Sequence, residues 1–536
     1  MENIKITDNY FPLNSDKKKE EEKKEISESS NDERKKKEFS FLPETNKTEI
    51  PKEVNESKEQ LNKYTQKILN KTKINKEMKL EQFFEKNRHY FIMTDGGKPV
   101  YSRYGDEVEN STIFATISAI ITKFTIFNST DEKKEEINII SNSKNVIVFL
   151  KKGALIFIVL SKKNDSISLL QSQLEYLFQQ LMSILTNNFY QKLEDNPSKC
   201  LTAMSDTEVL FENMIKYTSH TFASLFNSFQ VLKCDFREKL NKICEDNLGR
   251  ARLILILTIN EIISLAHDPN IKIVPSDIIL IQNLISSSES LRETETWVPI
   301  CLPGISNEGY LQLYCKFDDL GIGICFLTEN MDPKYFMEFQ EQNNKIGDIL
   351  MGESLNDKIV ALIPNKINED NIDINDDELL NALVDKIEIA FNNDKNNNMK
   401  RNNTLLKNQT NFNSSVNTKK DIFDDVICGL CHHKVLNQFF PIKINNNFRN
   451  INKSEKEILR EYNKLFDKLH LYNFDKEYFF HVEKGEYYTN AIHQNDNYIL
   501  ICSFNFFTEI DDALMKMKNI VKQIKKEENK YFIIYK

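Results

Sequence analysis

The sequence predicts an α/β (α+β) protein made of three copies of one unit, each a mainly antiparallel five-stranded sheet flanked by helices. Three observations lead there. A hairpin, a helix, three strands and a further helix follow in that order from about residue 88 and again from about 251, and the order returns beyond 421 with a less clear hairpin. The strands of each unit are separated by tight turns, which antiparallel pairing permits and parallel pairing does not. Two other stretches, rich in Lys, Glu, Asn and Asp, carry too little apolar surface to offset the entropy of ordering. The expected organisation is a charged tail at 1–85, folded units at 86–195, 205–350 and 421–536, and an Asn-rich linker at 351–420.

The first unit opens at His89–Gly105, where two apolar-alternating runs flank Asp95-Gly96-Gly97. Two glycines that take positive φ without steric cost make this triplet a hairpin turn, and Pro99, which has no N–H to donate, suits the start of the second strand. Ser111 is expected to cap a helix whose Ile113, Phe114, Ile117, Ile120, Ile121 and Phe124 share one stripe of the 3.6-residue period. Strands are expected at 137–140, 146–150 and 155–160, then a helix from Ser166 to about Leu193. Within the tail, 61–84 reads as a transient amphipathic helix or as low-complexity filler.

Residues 207–247 read as helical throughout. A hairpin about Ile259-Asn260 follows, then a helix capped by Ser276 or Asp277, strands at 297–302, 310–317 and 322–327, and a helix entered at Pro333. One short helix, 378–391, interrupts the linker. In the third unit weak strands are expected at 434–440 and 442–444, with Cys428–His433 a packed edge strand. A helix at 456–471, strands at 478–482, 487–493 and 498–504, a helix through Leu514, Met517, Ile520, Val521 and Ile524, and a final strand at 531–535 complete it. Helices are expected to cover one face of each sheet.

Composition narrows the function. A net charge of −9 excludes nucleic acid as the principal partner, because phosphate binding needs a basic excess. Nine cysteines, several inside apolar strand-like runs (Cys315, Cys325, Cys502), point to a reducing compartment. No apolar run reaches the ~20 residues of a spanning helix. The longest, Val146–Leu160, is broken by Lys151-Lys152-Gly153, and Met-Glu-Asn-Ile-Lys does not read as a leader.

Catalytic motifs are missing. Cys428-Gly-Leu-Cys431-His432-His433 has the spacing of haem attachment, but it lacks a second Cys/His pair for zinc, and strand geometry would send His432 and His433 to opposite faces. Gly321-Ile-Gly323 is too short for a dinucleotide loop, and neither a phosphate loop nor a nucleophile elbow occurs. No cofactor and no metal is expected, and function is sought on surfaces.

Two surfaces stand out. Opposite the apolar stripe of the first helix lie Ser111, Ala115, Ser118, Ala119 and Thr122, small neutral residues where a solvated face would carry Glu and Lys. They allow close approach of another molecule, or they simply face water. On the last helix Lys518, Lys522, Lys525 and Lys526 form a stripe that would attract an anionic, phosphoinositide-bearing membrane, or serve as a solvated face near a helix C-terminus.

Lys98-Pro-Val-Tyr-Ser-Arg-Tyr-Gly-Asp-Glu107, Leu284-Ile-Ser-Ser-Ser-Glu-Ser-Leu-Arg292, Trp297-Val-Pro-Ile-Cys-Leu-Pro303 and the ending Ala513 to Ile533 resemble the signatures of the SAND family of vacuolar fusion proteins, the Mon-one proteins. The resemblance covers about 88–345 and 430–536. It implies three longin domains, and a subunit that pairs with a Ccz-one-like longin protein to form a guanine-nucleotide exchange factor for a late-endosomal or vacuolar Rab GTPase of the Rab-seven class. It further implies a cytoplasmic protein, peripherally recruited to endosomal and vacuolar membranes, that performs no covalent chemistry. A longin-type adaptor or coat scaffold is the alternative. The small-residue face of the first helix is the expected GTPase surface, and the edge of its sheet the expected partner contact. The signature stretches themselves read as core and turn, with Ser286–Ser290 a helix end where Glu289 and Arg292 can pair.

Overall fold

A computed structural model describes residues 83, 86–108, 110–128, 137–162, 165–187, 190–192, 207–362, 422–423, 426–443, 453–471, 481–484, 488–494, 497–505 and 508–535. The tail, with its 61–84 helix, and the linker from 363, with its 378–391 helix, lie outside these apart from Phe83.

In the first domain β1 (Arg88–Thr94) and β2 (Pro99–Ser102) form the hairpin, and α1 (Ser111–Asn128) follows. Then come β3 (Ile139–Ser141), β4 (Val146–Lys152), β5 (Leu155–Ser161) and α2 (Ile167–Ile184). The sheet order is β2-β1-β5-β4-β3, antiparallel throughout. Strand alternation sorts Tyr90 and Ile92 onto one face with Leu170, Leu174, Leu177 and Leu181 of α2, and Phe91 and Met93 onto the other with Phe114 and Ile117 of α1. Helices therefore cover both faces, not one. Ser166 caps α2, accepting the Leu169 N–H at 3.1 Å. Ser111 does not cap α1: it is the first helical residue, and the Asn110 carbonyl accepts the first amides. Ile120, placed on the apolar stripe by its period, is 40% exposed, while its neighbours Ile117 and Ile121 pack against the sheet.

The second domain opens with α3 (Glu208–His220), α4 (Ala223–Phe226), β6 (Phe229–Gln230) and α5 (Arg237–Asp246). β7 (Leu253–Leu257), β8 (Ile262–His267), α6 (Pro275–Ser287), α7 (Ser290–Glu293), β9 (Thr296–Leu302), β10 (Ser306–Phe317), β11 (Gly323–Thr328), α8 (Lys334–Gly352) and α9 (Leu355–Leu362) complete it. Its order, β8-β7-β11-β10-β9, repeats the first. Three expectations change here. A strand interrupts the 207–247 helix; Ser276 and Asp277 fall inside the first turn of α6, behind Pro275; and α9 buries Leu355 and Ile359, so the ordered domain runs past 350 to 362.

The third domain contains β12 (Cys428–His433), β13 (Gln438–Ile442), α10 (Lys453–Leu471), β14 (His481–Lys484), β15 (Tyr488–Gln494), β16 (Tyr498–Asn505), α11 (Ile510–Lys526) and α12 (Glu528–Tyr531). Its own strands keep the common order, β13-β12-β16-β15-β14, and β6 of the second domain adds in parallel beside β13 as a sixth. The hairpin thus sits at 428–442, six residues earlier than the weak strands suggested at one end, with β12 interior between β13 and β16 rather than at an edge. The final strand is replaced by α12 and an extended end, where Gln438 bonds both the N–H and the carbonyl of Ile533 at 2.7 and 2.8 Å.

β6 also joins the sheets. Val231 donates to the Phe439 carbonyl at 2.9 Å while bridging Ile262 of β8, and Leu232 donates to the Ile262 carbonyl at 3.0 Å. The second and third sheets are continuous through this strap. Their apolar residues form one cluster, from Leu253 and Ile278 to Phe439, Leu500 and Met517.

Candidate functional site

The tight turn of β1–β2 is closed by Gly97 N–H to the Thr94 carbonyl and Thr94 N–H to the Lys98 carbonyl, both at 2.9 Å. Gly97 has φ +83°, and a Cβ there would lie 2.7 Å from Ser118 Oγ. Only glycine lets the turn approach the middle of α1 this closely. Between turn and helix opens a shallow hollow of about 580 Å³, lined by Gly96, Gly97, Ala115, Ser118, Ala119, Thr122 and Lys123. Four of the five small residues singled out on α1 therefore come together. Ser111, exposed one turn before Ala115, does not line the hollow. Gly96, Gly97 and Lys123 complete the site. The glycines were legible as a turn but not as a wall, because the helix lies far along the chain from them.

On α11, Ala513, Met517, Ile520, Val521 and Ile524 are buried in the shared core, and Lys518, Lys522, Lys525 and Lys526 are exposed on the other side. Among the described residues none of the four lysines has an ion pair. Asp511 and Asp512 in the first turn and Lys525 and Lys526 in the last complement the helix dipole. No described helix is long and apolar enough to cross a membrane.

Cys428–His433 is buried along its whole length. His432 stacks on Phe226 with ring centroids 4.1 Å apart, and its Nε2 meets Ser228 Oγ at 2.8 Å. His433 faces the other way, with Nε2 3.0 Å from Glu528 Oε1. Burial pulls His432 down to about 3, keeping the imidazole neutral, and pushes the Cys431 thiol up. The Ser228–His432 pair has the spacing of a nucleophile and its base, but both residues are sealed between domains where no substrate reaches, and Ser228 Oγ is also 3.1 Å from the Phe226 carbonyl. It acts as packing.

The signature residues serve architecture. Arg103 makes a two-pronged pair with Glu212 of α3 at 2.8 and 3.0 Å. Arg292 donates from Nη1 to the Ile285, Ser286 and Ser288 carbonyls at 2.7–3.0 Å, closing the end of α6 rather than pairing with Glu289.

Comparison with known proteins agrees with this architecture. Residues 88–213 match the model of the first longin domain of FUZ, MON1 and HPS1, and residues 253–346 match that of the second. The chain is a multi-longin protein, its third domain repeating the strand order of the two matched ones. A vacuolar fusion protein MON1 homolog of Oryza sativa subsp. japonica is 30% identical over 271 residues, covering 50% of this chain and 46% of that protein. The homolog of Arabidopsis thaliana is 27% identical over 258 residues (47% and 42%), and MON1 homolog A of Homo sapiens 26% over 274 residues (48% and 41%). The match spans about half the length of these curated relatives. Over these stretches the chain carries longin domains of the FUZ, MON1 and HPS1 type and is similar to the MON1 homologs.

Proposed function

We propose that this chain acts in vesicle and vacuole fusion as the Mon-one subunit of a guanine-nucleotide exchange factor for a late-endosomal Rab GTPase of the Rab-seven class. The observation that carries this reading is the hollow of Gly96, Gly97, Ala115, Ser118, Ala119 and Thr122, a concave, small-residue surface on the first longin domain. No acid, base or nucleophile is required. A Rab holds its nucleotide through a phosphate loop, Mg²⁺ and ordered switch segments, and a protein that binds the nucleotide-free form more tightly must weaken nucleotide binding by the same factor. The mechanism is binding alone, so the chain is not an enzyme in the covalent sense.

A Ccz-one-like longin partner is placed at the edge of the first sheet. Of the two edge strands among the described residues, β2 and β3, it is β3 that carries an exposed apolar residue, Ile139 at 38%, which supports strand addition there. Peripheral recruitment is assigned to Lys518, Lys522, Lys525 and Lys526, at ~1 kcal/mol per lysine near an anionic surface.

The test is release of fluorescent GDP from a late-endosomal Rab in the presence of the purified chain and its longin partner. Acceleration that Ser118→Glu or Ala119→Arg abolishes, with circular dichroism unchanged, supports the hollow. Full activity of both variants excludes it, and no acceleration by the native complex leaves the adaptor reading. In vesicle flotation, changing all four lysines to Glu is expected to remove binding to anionic phosphoinositide vesicles; unchanged flotation excludes the stripe.

A further inference from the structure

We infer that the first domain moves as a unit against a rigid body formed by the second and third. The two junctions differ in kind. Between the second and third domains the strap carries backbone hydrogen bonds, from Val231 to Phe439 at 2.9 Å and from Cys234 to Lys530 at 2.9 Å, over one apolar cluster. Opening that junction would break a sheet and expose core.

The first domain is attached differently. Among the described residues no backbone–backbone hydrogen bond crosses from it to the rest. Of residues outside it, the α2 side of its core takes in Phe211 and Ile215, and of its own residues Tyr176 enters the shared cluster. What crosses is side-chain chemistry. α2 presents Gln173, Tyr176 and Gln180 on a polar stripe: Gln173 Nε2 donates to Ser219 Oγ at 2.8 Å, Tyr176 OH to Asn227 Oδ1 at 2.8 Å, and Asn283 Nδ2 to Gln180 Oε1 at 2.6 Å. The Arg103–Glu212 pair and contacts of Asp165 with Arg460 and of Ser168 with Asp467 add charge. Amides, hydroxyls and ions recover their hydrogen bonds from water when such a junction opens, so separation costs far less than exposing equal apolar area. The buried side-chain oxygen of Gln179 and both amide atoms of Gln282, which have no protein partner, add to the polar character of these helices.

The inference is independent of the exchange reading. Spin labels on exposed positions test it in the full chain: Lys144→Cys in the first domain with Lys345→Cys on α8, against Lys345→Cys with Asp512→Cys on α11 as the internal pair. The eight described native cysteines are buried, and Cys200→Ser removes the ninth. Pulsed dipolar spectroscopy should give a distance distribution about twice as broad for the crossing pair as for the internal one. Glu212→Gln, and separately Asn283→Ala, should broaden the crossing pair further and leave the internal pair unchanged. Equal narrow widths for both pairs in the unsubstituted interface, or broadening of the internal pair instead, would overturn it.

Discussion

Asp277 offers a sharp test of the packing in the second domain. It sits in the first turn of α6 beneath the β9–β10 turn, where the Gly304 N–H donates to Oδ1 at 3.3 Å, while Oδ2 is buried without a partner. A Cβ on Gly304 would lie 2.6 Å from Oδ2, so no water fits between them. Burial pushes this carboxyl from 3.8 up to about 6, against the opposing pull of the Gly304 and Ile305 amides. A folded pKa above the unfolded value means the native state holds the proton more tightly. Asp277 therefore contributes stability below about pH 3.8 that is lost as pH rises through about 6. Asp277→Asn keeps the acceptor and removes the titration. Between about pH 4.5 and pH 7.5 the variant should gain about 2 kcal/mol relative to the native chain, whatever fixed cost its new amide carries. Urea unfolding followed by the fluorescence of Trp297, the single tryptophan, reads this domain directly. A difference between the two proteins that stays flat across that range, or moves the other way, refutes the burial argument.

Two further substitutions probe the mounting of the site and of the domains. Gly97→Ala forces a side chain into positive φ and against Ser118, and should destabilise the first domain by roughly 1–2 kcal/mol, seen as faster amide exchange in α1. Gly309→Ala, with nothing within 4 Å, is its control and should be near neutral. Arg237, 1% exposed, donates to the Leu232, Ile263 and Asn529 carbonyls, so Arg237→Ala leaves buried acceptors unpaired and should cost about 3 kcal/mol or more in urea unfolding.

Much of this fold was legible because its elements are locally consistent. β5, β7 and β11 are short apolar runs, α2 shows an unbroken 3.6-residue stripe, and Gly96-Gly97 marks its turn without help from the rest of the chain. The misses share one cause, which is that their partners lie far away in sequence. β6 is two residues long and exists as a strand only because β13 lies beside it. Cys428–His433 reads as an edge because its polar residues suggest exposure, yet Phe226 of α4, Ser228 of the loop after it and Glu528 of α12 cover them. Tyr531–Tyr535 alternates like a strand, but its backbone is satisfied by the Gln438 side chain instead of a ladder. The candidate site divides the same way. Its α1 half follows from helical spacing, and its Gly96–Gly97 half required the tertiary approach of turn to helix.

The residues that carry the family resemblance are not the residues of the hollow. Arg103 is committed to Glu212, Ser286 accepts from Asn213 at 2.8 Å, Arg292 closes α6, and Trp297 stacks on Phe339 at 6.0 Å. Arg103 and Ser286 sit where α3 meets the first domain or α6, which makes them fasteners of the longin array. Substituting them should alter how the first domain is carried while leaving the chemistry of its exposed surface intact. The hollow is built from other residues, Gly96, Gly97, Ala115, Ser118, Ala119, Thr122 and Lys123. The likeness to MON1 homologs therefore speaks for the scaffold, and the hollow has to be tested by its own substitutions.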